Sequence, residues 1–211
     1  MEVYNSEQDQ VEALKAWWEK NGKFVIVFVV SLLLGVFGWR TWQDRQYSLA
    51  ESASLAYYQM HELAASDPGA AMEIGRHIVG EFSSSTYAPM AGLLLARLSV
   101  EQGDWDAAEA HLRSVLSQAR QEELQWLARL RLGQVLFAQQ RYGLALNELS
   151  QPAGRLQAAF DELRGDILAI QGQQQQAVAA YRAALEGFAG YPDRSTLIEM
   201  KLADLAGSEG A

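Results

Sequence analysis

An uninterrupted apolar run near the beginning of the chain constrains its fold more than any other feature. Residues 24–39, FVIVFVVSLLLGVFGW, contain no charged side chain and lie between Lys23 and Arg40. As an α-helix rising about 1.5 Å per residue, the run is about 24 Å long, and continuation to Trp42 brings it close to the ~30 Å hydrocarbon core of a bilayer. The side chain of Arg40 can extend toward the headgroups. The sequence therefore predicts a transmembrane helix over residues 24–42.

Two other interpretations of this run are less consistent with its flanking residues and its pattern. A cleaved signal peptide needs small residues shortly after its apolar core, whereas the residues that follow Gly38 read WRTWQDRQ and are bulky and polar. The core helix of a soluble domain would carry a polar stripe at helical spacing, whereas this run has only Ser31. We therefore interpret residues 24–42 as an uncleaved signal anchor.

The charges beside the anchor give only a weak indication of its orientation. Three lysines precede the span and two arginines follow it closely, so the positive-inside bias is small. The short N-terminal side favours retention in the cytoplasm, because a long C-terminal domain is translocated largely regardless of its charge. We expect residues 1–23 to be cytoplasmic and residues 43–211 to lie across the membrane.

Small residues mark one part of the span. Ser31 and Gly35 form a small-xxx-small pair, and Gly38 lies near the same helix face. Such positions let a second membrane helix approach closely. We predict that these three residues form a packing face for a partner helix, although glycine is common in membrane spans in general.

The composition of the rest of the chain excludes several kinds of site. Residues 47–211 carry 20 acidic and 12 basic side chains, a net charge of −8, within a chain of net charge −9. This balance argues against binding to nucleic acid or to an anionic membrane surface. The chain has no cysteine, so structural disulfides and thiolate metal sites are excluded. About 165 residues after the anchor are enough for one sizeable core.

Three stretches of the chain repeat one helix–turn–helix pattern, and small residues align them. They are residues 92–116, 129–149 and 161–185. The first helix of each stretch has a small residue at the same position, namely Ala96, Gly133 and Gly165. Twelve residues later, the second helix of each stretch has an alanine, namely Ala108, Ala145 and Ala177. Two antiparallel helices approach closely only where both present small side chains. The pattern resembles the tetratricopeptide repeat (TPR) family.

The predicted fold is therefore all-α, with a single N-terminal transmembrane helix followed by a TPR-like helical-hairpin solenoid. Residues 47–82 are expected to form an irregular leading hairpin, which the sequence Asp67-Pro68-Gly69 divides. A last helix over residues 195–205 would cap the stack and cover the third repeat, and we expect a turn at residues 191–193 before it.

No catalytic constellation is recognisable in the sequence. It contains no nucleophile-elbow motif, no phosphate-binding loop and no dinucleotide-binding turn. Glu73, His77 and Glu81 share one helix face, but solvated ion pairs explain this spacing as well as a metal would, and no second element supplies ligands. We expect no enzyme activity, no metal and no cofactor.

A protein-binding groove is the more promising candidate site. First helices line the concave side of TPR-like hairpins, which places there Met90, Leu93, Arg97 and Val100, then Leu127, Leu130, Gln134 and Phe137, and then Ala159, Glu162, Asp166 and Ala169. Such a groove would be apolar at one end and acidic at the other. It is either a binding site for an apolar segment of another polypeptide, with Leu93, Leu127, Leu130 and Phe137 as main contacts, or a surface that the leading or terminal helix fills as core.

A second resemblance covers essentially the whole chain. The stretches that carry it are DQVEALKAWWEKNGK before the span, GWRTWQDRQ and SASLAYYQM after it, and the later DELRGDILAIQG. Together they resemble the YfgM family of ancillary Sec-translocon subunits. The resemblance implies a single-pass protein of the bacterial inner membrane, with its N-terminus in the cytoplasm and a TPR-like domain in the periplasm. It also implies association with the SecYEG translocon and with a membrane-anchored parvulin-type prolyl isomerase, and no catalytic residue carries over.

The favoured function is a non-enzymatic, membrane-tethered chaperone or scaffold at the translocon that contacts emerging secreted or membrane protein chains. One alternative is a pure scaffold that binds a single folded membrane partner. A second alternative is a regulatory protein that acts through its cytosolic residues 1–23, where Trp17 and Trp18 would contact a regulator or anchor the membrane interface.

Overall fold

The computed structural model describes residues 7–208, and within that range it contains helices and no strand. The α-helices are α1 (Glu7–Leu63), α2 (Pro68–Glu81), α3 (Tyr87–Glu101), α4 (Trp105–Gln118), α5 (Glu122–Ala138), α6 (Tyr142–Glu148), α7 (Gln157–Ile170), α8 (Gln174–Gly187) and α9 (Pro192–Ser208), and a short 3-10 turn (Gly154–Leu156) precedes α7. The all-α prediction is confirmed. The chain divides into two compact units after Leu49.

The first unit consists of the part of α1 that contains the apolar run. This helix is long and apolar enough to cross a membrane. Its large side chains are exposed, with Phe24 77% exposed and Phe37 69% exposed. The hydroxyl of Thr41 donates to the carbonyl oxygens of Phe37 (3.1 Å) and Gly38 (3.0 Å), so this polar group is satisfied inside its own helix.

The second unit contains the three predicted hairpins, which are α3–α4, α5–α6 and α7–α8. A three-residue turn joins the helices of each pair, and its middle residue has a positive φ angle: 76° at Gly103, 61° at Gln140 and 72° at Gly172. Backbone bonds close each turn in the same way, for example from Asp104 N–H to the carbonyl of Ser99 (2.9 Å). The repeat is therefore present in the backbone as well as in the side-chain pattern.

Close helix contact explains the small residues that align the repeats. Ala108, Ala145 and Ala177 are fully buried. A Cβ atom placed on Gly165 would lie 2.6 Å from the ring of Tyr181 in α8, so only glycine fits without a shift there. At Gly133 the nearest atoms belong to Leu149 and Leu163 and are 3.3 Å away, which is a looser fit.

The leading hairpin is formed by the end of α1 and by α2, and it packs on α3. Met60, Ile78 and Leu95 are fully buried together in this small core. Asp67 caps α2, because its carboxylate accepts a bond from the N–H of Ala70 (3.0 Å), and Pro68 occupies the first turn. The predicted stop at residues 67–69 thus both ends one helix and begins the next.

The last helix begins earlier than the sequence indicated. The turn expected at residues 191–193 is wrong in part, because α9 already begins at Pro192. Proline is favoured in the first turn of a helix, because the backbone N–H that it lacks would have no intrahelical acceptor at that position. As predicted, α9 covers the third repeat, with the fully buried Ile198 packed among Leu168, Ala180 and Tyr181.

An ion-pair network joins the second helices of the first two repeats. Glu109 of α4 pairs with Arg113 (2.8 Å) and with Arg141, and Glu148 of α6 lies 3.7 Å from both Arg113 and Arg129. Burial alone would raise the pKa of Glu109, but the hydrogen bonds from Arg113 and Arg141 outweigh that effect and hold its pKa below the ordinary value. The network therefore links adjacent repeats outside the apolar core.

Candidate protein-binding cavity

An open cavity of about 740 Å³ lies beside the first helices of the first two repeats. Its wall combines α3 and α5 with Trp105 and Leu112 of α4, and with Tyr57 and His61 from the second-unit part of α1. Large apolar side chains form most of this wall, namely Met90, Leu93, Leu94, Val100, Leu124 and Leu127. The lining also includes the polar residues Arg97, Glu101, Arg131 and Gln134. We call this site the N-terminal cavity.

Six of the eight groove residues predicted from the first two repeats meet in the N-terminal cavity. Its lining includes Met90, Leu93, Arg97, Val100, Leu127 and Gln134. Leu130 and Phe137 are absent from the lining. Leu130 is only 7% exposed and belongs to the core, and Phe137 packs against the same core with its ring 5.8 Å from that of Tyr142. The physical reason is that α5 contacts α4, α6 and α7 at once, so part of its predicted binding face is taken up by neighbouring helices.

Several residues that line the cavity were not predicted to do so, among them Tyr57, His61 and Arg131. Tyr57 and His61 come from α1, and Arg131 lies beside the predicted positions of α5. Burial raises the pKa of Tyr57, and its ring lies 5.7 Å from that of Tyr87. The signal that could have found Tyr57 is the helical spacing of the buried Ala53 and Met60 on either side of it.

The third repeat presents a different surface at the equivalent positions. Glu162 and Asp166 of α7 both accept hydrogen bonds from the ammonium of Lys201 in α9, at 3.1 and 2.7 Å. Asp166 also accepts a bond from the hydroxyl of Tyr181 (2.7 Å), and Arg194 lies 3.5 Å from Glu162. The expected acidic end of the groove is therefore covered and neutralised by the terminal helix.

The other two groove residues predicted from the third repeat, Ala159 and Ala169, pack against core clusters and do not line the cavity. A groove running along all three repeats was expected, and the structure instead confines the opening to the first two. For the third repeat, the interpretation that the terminal helix takes up the surface is correct.

Comparison with known proteins identifies the family. Residues 15–207 match the family model described as a tetratricopeptide repeat-like domain. Three relatives carry the name "ancillary SecYEG translocon subunit". The protein from Escherichia coli (strain K12) is 31% identical and covers 98% of this chain and 100% of its own length. Those from Haemophilus influenzae and Neisseria gonorrhoeae are 32% and 30% identical, with 96% and 97% of this chain and 100% of each relative covered.

The chain belongs to the family of ancillary SecYEG translocon subunits. This confirms the family resemblance, and the family model confirms the TPR-like fold. The name that these relatives share is that of a subunit and not of an enzyme.

The titratable and aromatic groups of this ancillary subunit are held by packing and ion pairs. Among the residues that the structure describes, no group of three or more histidine, aspartate and glutamate side chains could hold a metal ion. His77 instead packs edge-on against Phe82, with ring centroids 5.5 Å apart. On the cavity wall, burial raises the pKa of Tyr57. In the third repeat, burial alone would lower the pKa of Lys201, but its hydrogen bonds to Asp166 and Glu162 raise it.

Energetics indicate what kind of binding the N-terminal cavity supports. Burying one large apolar side chain contributes about 1.5–3 kcal/mol, and a cavity of this size holds only a few such side chains. Association of two molecules costs roughly 4–15 kcal/mol, because translational and rotational freedom is lost. The two effects are of similar size, so a ligand that enters only this cavity would bind weakly and exchange rapidly.

Proposed function

We propose that residues 24–42 form a single-pass signal anchor in the bacterial inner membrane, with residues 1–23 in the cytoplasm and residues 43–211 in the periplasm. The support is the length and apolarity of this part of α1, whose side chains are exposed, together with membership of a family named for the SecYEG translocon. The small residues Ser31, Gly35 and Gly38 would pack against a partner helix. A Cβ on Gly35 or Gly38 would meet no other atom within 4 Å, so both positions are open to such a partner.

We further propose that the protein associates with SecYEG as a non-enzymatic chaperone or scaffold for newly translocated chains. The observation that carries this proposal is the open N-terminal cavity, with an apolar wall that no other part of the described chain covers. Emerging polypeptides expose apolar segments before they fold. A domain tethered to the same membrane meets them at a raised effective concentration, so weak binding is sufficient.

A membrane-anchored parvulin-type prolyl isomerase is the second partner that we propose. Prolyl isomerisation takes tens to hundreds of seconds without a catalyst, so a newly emerged chain stays unfolded long enough for weak, repeated binding to matter. The pairing would combine a non-enzymatic binding surface with a separate catalyst. Contact through the membrane helices, at Ser31, Gly35 and Gly38, leaves the N-terminal cavity free for other chains.

Site-specific photocrosslinking of the full chain in cells tests this function. The photoreactive residue replaces Met90, Leu93 or Leu127 in turn, and the exposed Arg120 outside the cavity serves as control. We expect cavity positions to crosslink to many different secreted chains and Arg120 to crosslink to few. A single discrete adduct from all three cavity positions would replace the chaperone role with that of a scaffold dedicated to one partner. No adduct from any of them would contradict the proposed binding site.

A further inference from the structure

The charges on the N-terminal cavity differ from those of the domain around it. The lining contains two arginines, Arg97 and Arg131, but only one carboxylate, Glu101, whereas residues 47–211 as a whole carry a net charge of −8. The open apolar surface of this acidic domain thus has a local excess of positive charge beside it.

The two arginines are not equivalent. The Nε atom of Arg97 donates to the carboxylate of Glu101 at 2.8 Å, so these two charges offset each other. Arg131 donates instead to the side-chain oxygen of the neutral Gln134 at 2.9 Å. Among the carboxylates that the structure describes, none lies at ion-pair distance from Arg131. Arg131 is therefore the arginine of the cavity whose charge no described carboxylate offsets, and four of its five N–H donors are outside the bond to Gln134.

The third repeat provides an internal example of recognition by this kind of surface. There, α9 combines the buried Ile198 with Lys201, whose ammonium binds the carboxylates of Glu162 and Asp166 on α7. An apolar contact and an ion pair of opposite charges thus hold α9 against the third repeat together. The position of Asp166 corresponds to Arg97 in the first repeat and to Gln134 in the second, so the sign of the charge is reversed at the open end.

We propose that the N-terminal cavity selects apolar polypeptide segments that carry an aspartate or glutamate beside their apolar side chains. This rests on the proposed function, since it specifies which emerging segments the cavity holds. The apolar side chains of the segment contact Leu93 and Leu127, and its carboxylate pairs with the guanidinium of Arg131, whose planar fork matches both carboxylate oxygens. Segments flanked by lysine or arginine bring like charges together and bind less well.

Binding of labelled peptides to the full chain in lipid nanodiscs tests this selection. Three peptides share one apolar sequence and differ only in flanking residues, which are aspartate, asparagine or lysine, and empty nanodiscs correct for binding to lipid. An exposed ion pair of this kind changes affinity by roughly twofold to fivefold. We therefore expect the aspartate peptide to bind roughly twofold to fivefold more tightly than the asparagine peptide, and the lysine peptide to bind most weakly.

Charge variants connect this preference to one residue. Arg131→Gln should abolish the difference between the aspartate and asparagine peptides, and Arg131→Glu should reverse the order of the aspartate and lysine peptides. Arg120→Gln removes an exposed arginine outside the cavity and should leave the order unchanged. A higher salt concentration should reduce the preference for the aspartate peptide, and it should leave the affinity of the asparagine peptide unchanged.

Two results would overturn the inference, and they differ in what they mean for the function. Equal binding of all three peptides, with loss of binding in Leu93→Asp, would remove the charge selection and leave the proposed function intact. No binding of any peptide above the empty-nanodisc level would overturn the charge selection and the proposed cavity function together.

Discussion

The first two repeats and the third repeat use equivalent helix positions in opposite ways. Leu93 and Arg97 line the open cavity in the first repeat, whereas Glu162 and Asp166, at the same positions of the third repeat, lie beneath Lys201 of α9. The hairpins themselves are alike, with the same three-residue turns and the same buried alanines. The difference comes from the helix that packs against each surface. One repeat scaffold therefore yields either a binding surface or a closed core, depending on its neighbour.

Removing the buried contact of α9 should have the largest effect on the closed end. Ile198 is fully buried against the third repeat, so Ile198→Ala loses apolar contact and leaves a cavity. We expect a loss of about 2–4 kcal/mol in the free energy of unfolding, measured by chemical denaturation of the full chain. Hydrogen exchange should accelerate in α9 and α8, with little change in α3.

The neighbouring Leu197 offers a matched control on the same helix. It is 37% exposed, so Leu197→Ala should change the unfolding free energy by less than about 1 kcal/mol. Equal effects of the two substitutions would mean that α9 does not close the third repeat through its buried face.

A pair of glycine substitutions compares the packing inside two repeats. In Gly165→Ala the new methyl group would lie 2.6 Å from the ring of Tyr181, and we expect a loss of about 1–3 kcal/mol. In Gly133→Ala the nearest side-chain atoms are 3.3 Å away and can shift, while alanine gains about 1 kcal/mol of helix propensity, so the net change should be near zero. Thermal or chemical denaturation of both variants measures this contrast, and the reverse order of stability would refute it.

The ion pairs of Lys201 should make a smaller contribution that depends on pH. Burial alone would lower the pKa of Lys201, but its bonds to Asp166 and Glu162 outweigh this and raise the pKa above 10.5. The unfolded chain therefore loses this proton at lower pH than the folded one. The stabilisation is fully present below pH 10.5 and is lost as the pH rises through the higher pKa of the folded state.

We expect Lys201→Met to lower the unfolding free energy by about 1–2 kcal/mol at neutral pH, because Lys201 is partly exposed and its bonds are screened. The difference from the unsubstituted chain should shrink above pH 10.5. Arg194→Met is the control, because Arg194 is 54% exposed and lies farther from Glu162, at 3.5 Å. A difference for Lys201→Met that stayed constant into strongly alkaline solution would contradict this assignment.

The smallest effect should come from the turn of the second repeat. Gln140 has a φ of 61°, whereas the equivalent Gly103 and Gly172 adopt similar angles without strain. We expect Gln140→Gly to stabilise the chain by about 0.5–1 kcal/mol and Gly172→Gln to destabilise it by about 1–2 kcal/mol. Denaturation midpoints of the two variants should move in opposite directions, and movement in the same direction would count against a strained turn.

Repeating features of the sequence predicted much of this fold. Ala108, Ala145 and Ala177 identified the three hairpins because a close helix crossing admits only small side chains at that point. The beginning of α9 was misjudged because proline is compatible with both a turn and a first helical position. Leu130 was assigned to the groove because repeat position alone does not reveal how many neighbours a helix has.

The cavity could be predicted only in part, for a related reason. Six of its α3 and α5 residues, including Leu93 and Leu127, follow from the repeat register, whereas Tyr57 and His61 belong to a helix outside the repeats. Nothing local in the sequence relates residue 57 to residue 127. Their proximity arises from the packing of the leading hairpin on α3.

The sequence by itself determined the apolar helix, the three hairpins, the acidic balance and the absence of cysteine chemistry. These follow from local properties, namely hydropathy, helix periodicity, turn residues and composition. Only the tertiary structure decided that the inner surface is open at Leu93 and Leu127 and closed at Glu162 and Asp166. The physical reason is that exposure depends on which other helix lies across a surface. That helix, α1 at one end and α9 at the other, is distant in sequence from the residues it covers or leaves open.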